Sequence, residues 1–257
     1  MAQQTQPPDR SEIVALLDDP ARACVAQEAA TRVQAGSVIG LGSGRAVWAT
    51  MELLARRDEL AGLHIVSASS VTGQLATSMG FRVVHLDGTL TLDLAIDGAD
   101  EVAPDLGLIK GHGAALLREK LVAVAADRFV IVAEASKRVE WLGQQRTLPV
   151  EVVPFAWADT ARRLRARFPD VAVRSGADGP LVTDEGNHLL DVVLPDDGSD
   201  PGNVAAELSC TVGVVEHGLF LHMADEVLLG GADGTVEILR RTVVHRGEER
   251  SDDDHHA

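Results

Sequence analysis

The sequence predicts an α/β fold in which a mostly parallel, doubly wound sheet is joined to a smaller α+β unit. In the first half, short apolar runs alternate with helical stretches, a rhythm typical of parallel strands connected by helices. The alternation gives way near Leu148 to closely spaced strands and a hairpin pattern. Hydrophobic residues make up 46% of the chain and aromatic residues only 3%, so the predicted core rests on Val, Leu, Ile and Ala.

The first half supplies the predicted parallel sheet and its connecting helices. Pro20 suits the first turn of a helix, and Gly80 is placed to end another. The predicted helices cover 20–33, 45–57, 70–80 and 114–126, and the predicted strands cover 37–42, 63–69, 82–87, 91–97 and 128–135. In such sheets, ligands bind beyond the carboxyl ends of the strands.

The second half predicts a smaller unit, followed by strands over 215–242 that can rejoin the first sheet. The smaller unit contains a hairpin pattern with its turn at Glu185-Gly186-Asn187. Its other predicted elements are strands at 148–155 and 171–175 and helices at 156–168 and from 203. We expect the chain to divide into a domain of 12–147 plus 215–245, a domain of 148–214, and disordered ends at 1–11 and 246–257.

Charge and composition exclude several classes of protein. The formal net charge of −16 argues against a nucleic-acid surface, which needs a basic patch. No apolar run reaches the ~18 residues of a membrane span, and the N-terminus lacks a signal pattern, so we expect a cytoplasmic protein. The two cysteines, Cys24 and Cys210, predict neither a disulfide framework nor a zinc site. The adjacent His255 and His256 are interpreted as incidental.

The segment "GLGSGRAVWA" places three glycines, Gly40, Gly42 and Gly44, between a predicted strand and a predicted helix. Such a loop lets backbone N–H groups and the positive end of the helix dipole approach an anion. A dinucleotide-binding fingerprint needs Gly or Ala where this chain has Arg45, and no Gly-Lys-Ser/Thr follows for a Walker loop. A plain tight turn is the alternative interpretation of this segment.

Several polar residues cluster in the segment 94–120. Asp97 and Asp100 follow an apolar strand, Lys110 comes after a second short apolar stretch, and Gly111 and Gly113 flank a histidine. These residue types at strand ends suggest a pocket that handles protons on a small anionic substrate. Taken singly, the aspartates can also form a solvated turn, and the lysine can be an exposed loop residue.

Glu119 is the candidate general base. We expect it about two turns into a helix, on the same face as Leu116 and Ala123, which should pack inward. Burial of a carboxyl group raises its pKa toward values useful in proton transfer. The alternative is a structural ion pair of Glu119 with Arg118, Lys120 or Lys110.

Five motifs resemble those of the ribose-5-phosphate isomerase type A family. They are "DGADEV", "KGHGAALLREK", "AEASKRVEWLG", "LPVEVVPF" and "TDEGNHLLDV", in that order, within a resemblance covering about residues 36–234. The resemblance implies a Rossmann-like domain with a smaller ferredoxin-like domain, in a homodimer or homotetramer. It also implies an isomerase that interconverts ribose 5-phosphate and ribulose 5-phosphate without a metal or other cofactor, in the non-oxidative pentose phosphate pathway.

The resemblance also implies roles for individual residues. Glu119 resembles the base that moves a proton between C1 and C2 through an enediol, and Asp97 resembles the acid/base that acts on sugar hydroxyls or the ring oxygen. Asp100 and Lys110 resemble their polar neighbours, with Lys110 stabilising the enediolate oxygen. The implied substrate- or phosphate-binding residues are Gly42, Ser43, Gly44, Arg45, Ala46, Gly98, Ala99, Gly111, His112, Gly113, Lys137 and Arg22.

The chain departs from the family pattern at two places. Arg45 and Ala46 replace two hydroxyl residues of the glycine loop, and His112 stands where glycine is usual. Because a guanidinium can bind phosphate through its planar fork of donors, the anion can be held differently in this chain. An isomerase of another phosphorylated aldose, and a non-catalytic sugar-phosphate-binding module, are the alternative functions. An acyl- or CoA-transferase needs a nucleophilic carboxylate motif that the sequence lacks.

Overall fold

The computed structural model describes residues 7–241, which form seven α-helices, three short 3-10 helices and fourteen strands. The helices are α1 (Arg10–Ala15), α2 (Pro20–Ala30), α3 (Arg45–Ala55), α4 (Ser70–Ser78), α5 (Leu116–Val124), α6 (Trp157–Arg165) and α7 (Pro201–Ser209). The strands are β1 (Val38–Leu41), β2 (His64–Ser67), β3 (Arg82–Val83), β4 (Leu94–Asp97), β5 (Glu101–Val102), β6 (Leu108–Ile109), β7 (Phe129–Glu134), β8 (Leu148–Val152), β9 (Asp170–Val173), β10 (His188–Val193), β11 (Val214–His217), β12 (Leu219–Phe220), β13 (Glu226–Gly230) and β14 (Val236–Arg240).

The largest sheet has seven strands in the order β14-β13-β7-β4-β1-β2-β3. Every neighbouring pair in it is parallel except β13 with β14. This sheet confirms the predicted mostly parallel architecture, and the strands after residue 215 do rejoin it through β13 and β14.

Helices cover both faces of this sheet, as expected for a doubly wound fold. Along β7, Val130 and Val132 belong to one apolar cluster, which also contains residues of α2, α3 and α4. The alternate residues Phe129 and Ile131 belong to a second cluster with Val122 of α5. Since successive strand side chains point to opposite faces, β7 is buried on both sides.

A second, antiparallel sheet has the order β11-β8-β10-β9. Its apolar face packs against α6 and α7 around buried residues such as Val150, Leu164, Leu190 and Leu208. This sheet runs to His217, three residues beyond the expected boundary. A third sheet has the order β12-β6-β5; in the chain, β5 and β6 lie between β4 and β7 of the large sheet, and β12 lies between β11 and β13. The division into independently folding domains stays a prediction.

Three sequence expectations are corrected by the structure. The predicted disorder of 1–11 fails at its C-terminal end, because Asp9 and Glu12 form a capping box that starts α1 at Arg10. The first arm of the predicted hairpin is no strand: only an isolated bridge joins Val182 to His188. The expected strand 82–87 is reduced to the two residues of β3.

The remaining terminal expectations, including those for 246–257 and for His255 and His256, lie outside the described residues. Within residues 7–241, no helix has the length and apolar character needed to span a membrane.

The parallel strands place the chemistry-bearing segments together. β1 leads into Gly42–Arg45, β4 into Gly98–Asp100, and β7 into Lys137, all at the carboxyl edge of the sheet. α3 and α4 begin at this same edge, so their N-termini face it. The sheet topology therefore brings together the predicted site residues that follow these three strands.

Candidate active site

A cavity of about 630 Å³ opens at the carboxyl edge of the large sheet. It lies between the segments that follow β1, β4 and β7 and the loop that leads into α5. Thirteen of the predicted site residues line it: Ser43, Gly44, Arg45, Ala46, Gly98, Ala99, Asp100, Lys110, Gly111, His112, Gly113, Glu119 and Lys137. Asp97, Gly42 and Arg22 are not among the lining residues.

Lys110 is the centre of a buried charge cluster. Its Nζ lies 2.8 Å from Asp97 Oδ2 and 3.2 Å from Glu119 Oε2, and it donates to Gly98 O at 2.7 Å. All three charged residues are only 2–3% exposed. Lys110 is therefore not the exposed loop residue that its sequence position also allowed.

The environment of Glu119 favours a neutral carboxyl group. Burial, reinforced by the negative charge of Asp97 and opposed by Lys110, raises the pKa of Glu119 to about 8. Its Oε2 contacts the ammonium without hydrogen-bond geometry and has no hydrogen-bond partner among the described residues. A carboxylate in this state is a stronger base than a solvated one, since fewer donors stabilise its charged form.

The surroundings also shift the pKa values of Asp97 and Lys110, the two charged neighbours of Glu119. Burial raises the pKa of Asp97 as well, although Lys110 and the N–H of Gly98 oppose the shift. Burial alone would lower the pKa of Lys110, but the charges of Asp97 and Glu119 outweigh it and raise that pKa. The ammonium therefore stays charged while the two carboxyl groups compete for a proton, an arrangement suited to proton transfer.

The position of Glu119 within its helix differs from the expectation. α5 begins at Leu116, so Glu119 lies in the first turn rather than two turns in. The preceding residues form an irregular loop in which Gly111 and Ala114 have positive φ angles of 104° and 64°. The expected inward face is confirmed, because Leu116 and Ala123 are buried together with Glu119.

Asp100 and His112 hold this loop from the cavity side. The backbone N–H of His112 donates to Asp100 Oδ2 at 3.0 Å. The His112 ring lies with Nε2 3.0 Å from Thr147 O, which can only accept, so Nε2 carries the proton of this contact. Asp100 and His112 thus both shape the wall next to Lys110.

The glycine loop is backed by a buried polar network that the sequence interpretation missed. Trp48 Nε1 donates to Thr72 Oγ1 at 3.0 Å, and Thr72 Oγ1 donates to Gly42 O at 3.1 Å. Ser69 Oγ lies 3.0 Å from Thr72 Oγ1 and 3.2 Å from Ser43 Oγ. Ser69 also lines the cavity, and its place at the end of β2 before a helix is a sequence signal that could have identified it.

Arg22 departs from the expected phosphate-binding position. Its guanidinium is buried, donating to Glu134 Oε1 at 2.7 Å and to Leu16 O at 3.2 Å. Glu134, at the end of β7, lines the cavity and was missed, although a strand-end carboxylate is the same signal that singled out Asp97. Arg22 contacts the cavity wall through Glu134 rather than lining the cavity itself.

Arg45 is the first residue of α3 and is exposed on the cavity wall. We expect Arg45→Ala to raise KM about tenfold and to change kcat less than twofold, because a ligand contact made equally in ground and transition states affects only KM. Steady-state kinetics with the substrate that the family resemblance implies measure this split. Arg82→Ala, at an exposed arginine of the sheet edge, is the matched control, and an unchanged KM in Arg45→Ala would remove Arg45 from the binding site.

Among residues 7–241, no three or more His, Cys, Asp or Glu side chains are grouped so as to hold a metal ion. The cavity lining thus offers the buried ammonium of Lys110, the buried carboxyl group of Glu119, backbone donors and peripheral basic side chains, and the buried Asp97 carboxyl group lies 2.8 Å from that ammonium. This set can bind an anion at one end of a small molecule and move protons at the other.

Comparisons with known proteins agree with this arrangement. The profile of the family described as ribose 5-phosphate isomerase A (phosphoriboisomerase A) matches residues 64–234. A ribose-5-phosphate isomerase A of Synechococcus sp. (strain JA-3-3Ab) is 42% identical over 228 residues, covering 87% of this chain and 98% of the relative.

Solved structures show the same likeness in three dimensions. A D-ribose-5-phosphate isomerase in complex with phospho-erythronic acid superimposes with a TM-score of 0.81 at 36% identity, over 86% of this chain and 98% of that one. Ribose 5-phosphate isomerase A from Methanocaldococcus jannaschii gives a TM-score of 0.79 at 35% identity, over 87% and 99%. With its profile match, its relatives and the buried cluster of Lys110, Asp97 and Glu119 at its cavity, this chain belongs to the ribose 5-phosphate isomerase A family.

Proposed function

We propose that this protein interconverts D-ribose 5-phosphate and D-ribulose 5-phosphate by proton transfer through an enediol. The observation that carries the proposal is the buried Glu119 carboxyl group, which lines the cavity 3.2 Å from the Lys110 ammonium with its pKa raised to about 8. Family membership supports the choice of substrate, since the relatives at this level of identity are ribose-5-phosphate isomerases.

The reaction moves two protons. In the direction of the ketose, Glu119 removes the proton from C2 of the open-chain aldose and returns it to C1, while a hydroxyl proton passes from O2 to O1. Asp97, which shares the Lys110 ammonium with Glu119, is the group we assign to the transfer between the oxygens. Glu119 and Asp97 then end the cycle in their starting protonation states.

Lys110 is assigned to stabilise the negative charge that develops on the enediolate oxygen. Its ammonium is fixed in advance by Asp97 and Gly98 O, so little reorganisation accompanies the reaction. In a buried site, such a preorganised cation contributes more than it would in water. Asp100, across the loop from His112, is assigned to orient the sugar hydroxyls.

The phosphate end is assigned to the opposite part of the cavity. Ser43 and the N-terminus of α3 lie there with Arg45, and Lys137 follows β7 on the neighbouring wall. Helix N-termini and basic side chains are suitable partners for a dianion. In this arrangement Arg45 replaces the two hydroxyl groups that the family pattern places at positions 45 and 46.

The pH dependence should follow the ionisation of Glu119. Since the base must be deprotonated, kcat/KM is expected to rise about tenfold for each pH unit on the acid side and to level off above about 8. Initial rates between pH 6 and 9.5 measure this limb. Glu151→Gln alters another buried carboxyl group, outside the cavity, and should leave the dependence of kcat/KM on pH unchanged. A native kcat/KM that does not change between pH 6 and 8 would contradict the assignment.

The substrate is tested with a panel of pentose and hexose phosphates in D₂O. Ribose 5-phosphate should give the highest kcat/KM, and deuterium should appear at C1 of the ketose or C2 of the aldose, as an enediol requires. Preference for another aldose phosphate would favour the alternative isomerase. Binding of phospho-erythronic acid without turnover of any sugar phosphate would favour a binding module.

We also propose a homo-oligomer that acts in the cytoplasm in the pentose phosphate pathway. Phe155 is 89% exposed and Val212 is 83% exposed, and the hydrogen bond from Val153 N to Gly213 O brings their segments together. An exposed apolar patch of this kind supports association with a second copy. Sedimentation velocity distinguishes a dimer or tetramer from a monomer. The proposal of a cytoplasmic location is supported by the sugar-phosphate substrate.

A further inference from the structure

Arg174 connects the small antiparallel sheet to the loop beside the catalytic cluster. It follows β9, and its side chain is largely buried, at 11% exposure. Nη1 donates to Gly111 O at 3.0 Å and to His112 O at 3.1 Å. Arg174 is not among the residues that line the cavity, so its effect on a ligand has to pass through the loop.

A closed ring of hydrogen bonds fixes the guanidinium. Asp191 accepts from Arg174 Nε at 3.0 Å and from Nη2 through its other oxygen. Thr147 Oγ1 lies 3.4 Å from Asp191 Oδ1, and Thr147 O accepts from His112 Nε2. Because a planar guanidinium presents donors along two edges, one side chain can hold a carboxylate and two carbonyl groups together.

These contacts determine which way the loop peptides face. In a trans peptide the C=O and the following N–H point in opposite directions, and the described residues contain no cis peptide bond. With the carbonyls of Gly111 and His112 turned to Arg174, the N–H groups of His112 and Gly113 turn away from it. The first donates to Asp100 Oδ2, and the second has no acceptor among the described residues, although Gly113 lines the cavity.

We propose that Arg174 is a positioning residue for the isomerisation: it holds the carbonyls of Gly111 and His112 away from the anionic substrate and keeps Asp100 and the Gly113 N–H directed toward it. The inference rests on the proposed function. Without the guanidinium, either peptide can rotate and present a carbonyl oxygen to an enediolate, which repels it. Lys110, the residue before this loop, would lose part of its fixed geometry as well.

The test compares Arg174→Ala with Arg165→Ala. Arg165 is a matched control, because its guanidinium also caps a backbone carbonyl of the small unit, Val171 O, but does not contact the loop. Arg174→Ala should lower kcat roughly 10- to 30-fold with KM changed less than threefold, as a small misplacement of catalytic groups does. Ethylguanidinium added to Arg174→Ala should restore at least part of kcat, and should not affect Arg165→Ala.

A second readout does not depend on turnover. Amide hydrogen exchange in the segment 111–116 should be at least tenfold faster in Arg174→Ala and unchanged in Arg165→Ala. Equal kcat in the two variants, or equal exchange, would show that Arg174 only stabilises the small sheet. If Arg174→Ala does not fold, Asp191→Asn provides a second variant, because it keeps the arginine but weakens the ion pair that holds its guanidinium. It should show a smaller loss of kcat and a smaller increase in amide exchange of the segment 111–116. A native enzyme inactive on ribose 5-phosphate would overturn the proposed function, and the exchange comparison would still decide this inference.

Discussion

Replacement of Glu119 by Gln is expected to lower kcat roughly 10³-fold, equivalent to about 4 kcal/mol of barrier, while KM changes only a few-fold. The amide has the size of the carboxyl group but cannot accept a proton from carbon. Neutralising Glu119 leaves Lys110 with Asp97 and Gly98 O as partners, so the cavity keeps its shape. Steady-state kinetics and solvent deuterium incorporation measure the loss.

The same variant should be more stable than the native protein at high pH, which separates loss of catalysis from loss of folding. The folded-state pKa of Glu119, about 8, lies above its ordinary value of 4.5. The stability contributed by the neutral carboxyl group is therefore fully present below about 4.5 and is lost as the pH rises through about 8. The amide of the Glu119→Gln variant does not ionise, so the difference in Tm in favour of the variant should grow from pH 6 to about 8 and then level off. A kcat within tenfold of the native value would remove Glu119 as the base.

Much of the fold could be predicted because its signals are local. The alternation of apolar runs with helical stretches, Pro20 at a helix start and Gly80 after a helix end all have counterparts in the structure. The start of α1 was missed although its signal, the capping box of Asp9 and Glu12, is local. Other failures concern elements whose ends depend on tertiary contacts. The start of α5 is one, because the loop from Gly111 is held by Arg174, a partner 63 positions away.

The site could be predicted as a set of residues but not as a network. Strand-end position singled out Asp97 and Lys110, a predicted inward helix face singled out Glu119, and the structure places the three side chains in contact. The position of Arg22 could not be predicted in this way, because a basic side chain near an anion site can instead pair with a carboxylate, here Glu134. Contacts between distant segments, such as Arg174 with the loop, leave no pattern in a single sequence.

The sequence and the structure give different reasons for a glycine at position 42. The glycine pattern suggests a backbone that approaches an anion, but Gly42 does not line the cavity. A Cβ added there would lie 1.8 Å from Asp97 Oδ1 and 1.9 Å from Asp97 Cγ. The residue is therefore required to be glycine because the Asp97 side chain occupies the space of its missing side chain.

Gly42→Ala is accordingly expected to lower kcat roughly 10²- to 10³-fold, although it changes no ionisable group. The backbone cannot move aside, since Gly42 N donates to Ile96 O at 2.9 Å and Gly42 O accepts from Thr72. Asp97 therefore has to leave its position 2.8 Å from the Lys110 ammonium. The Asp97 carboxyl group is then displaced, and the buried ammonium loses its ion-pair partner. Kinetics, together with the acid limb of the pH profile, measure the effect.

Gly98→Ala provides the comparison for Gly42→Ala, because it adds the same methyl group on the other side of Asp97. Its nearest neighbour there is Val132 O at 3.8 Å, an ordinary contact, and the φ angle of Gly98 is not positive. Since Gly98 lines the cavity, we expect a change in KM of up to about tenfold but a nearly native kcat. Two outcomes would contradict this prediction: an equal loss of kcat in both variants, or a Gly42→Ala variant that retains more than a tenth of the native kcat. In either case, Asp97 does not need its observed position next to the Lys110 ammonium for proton transfer.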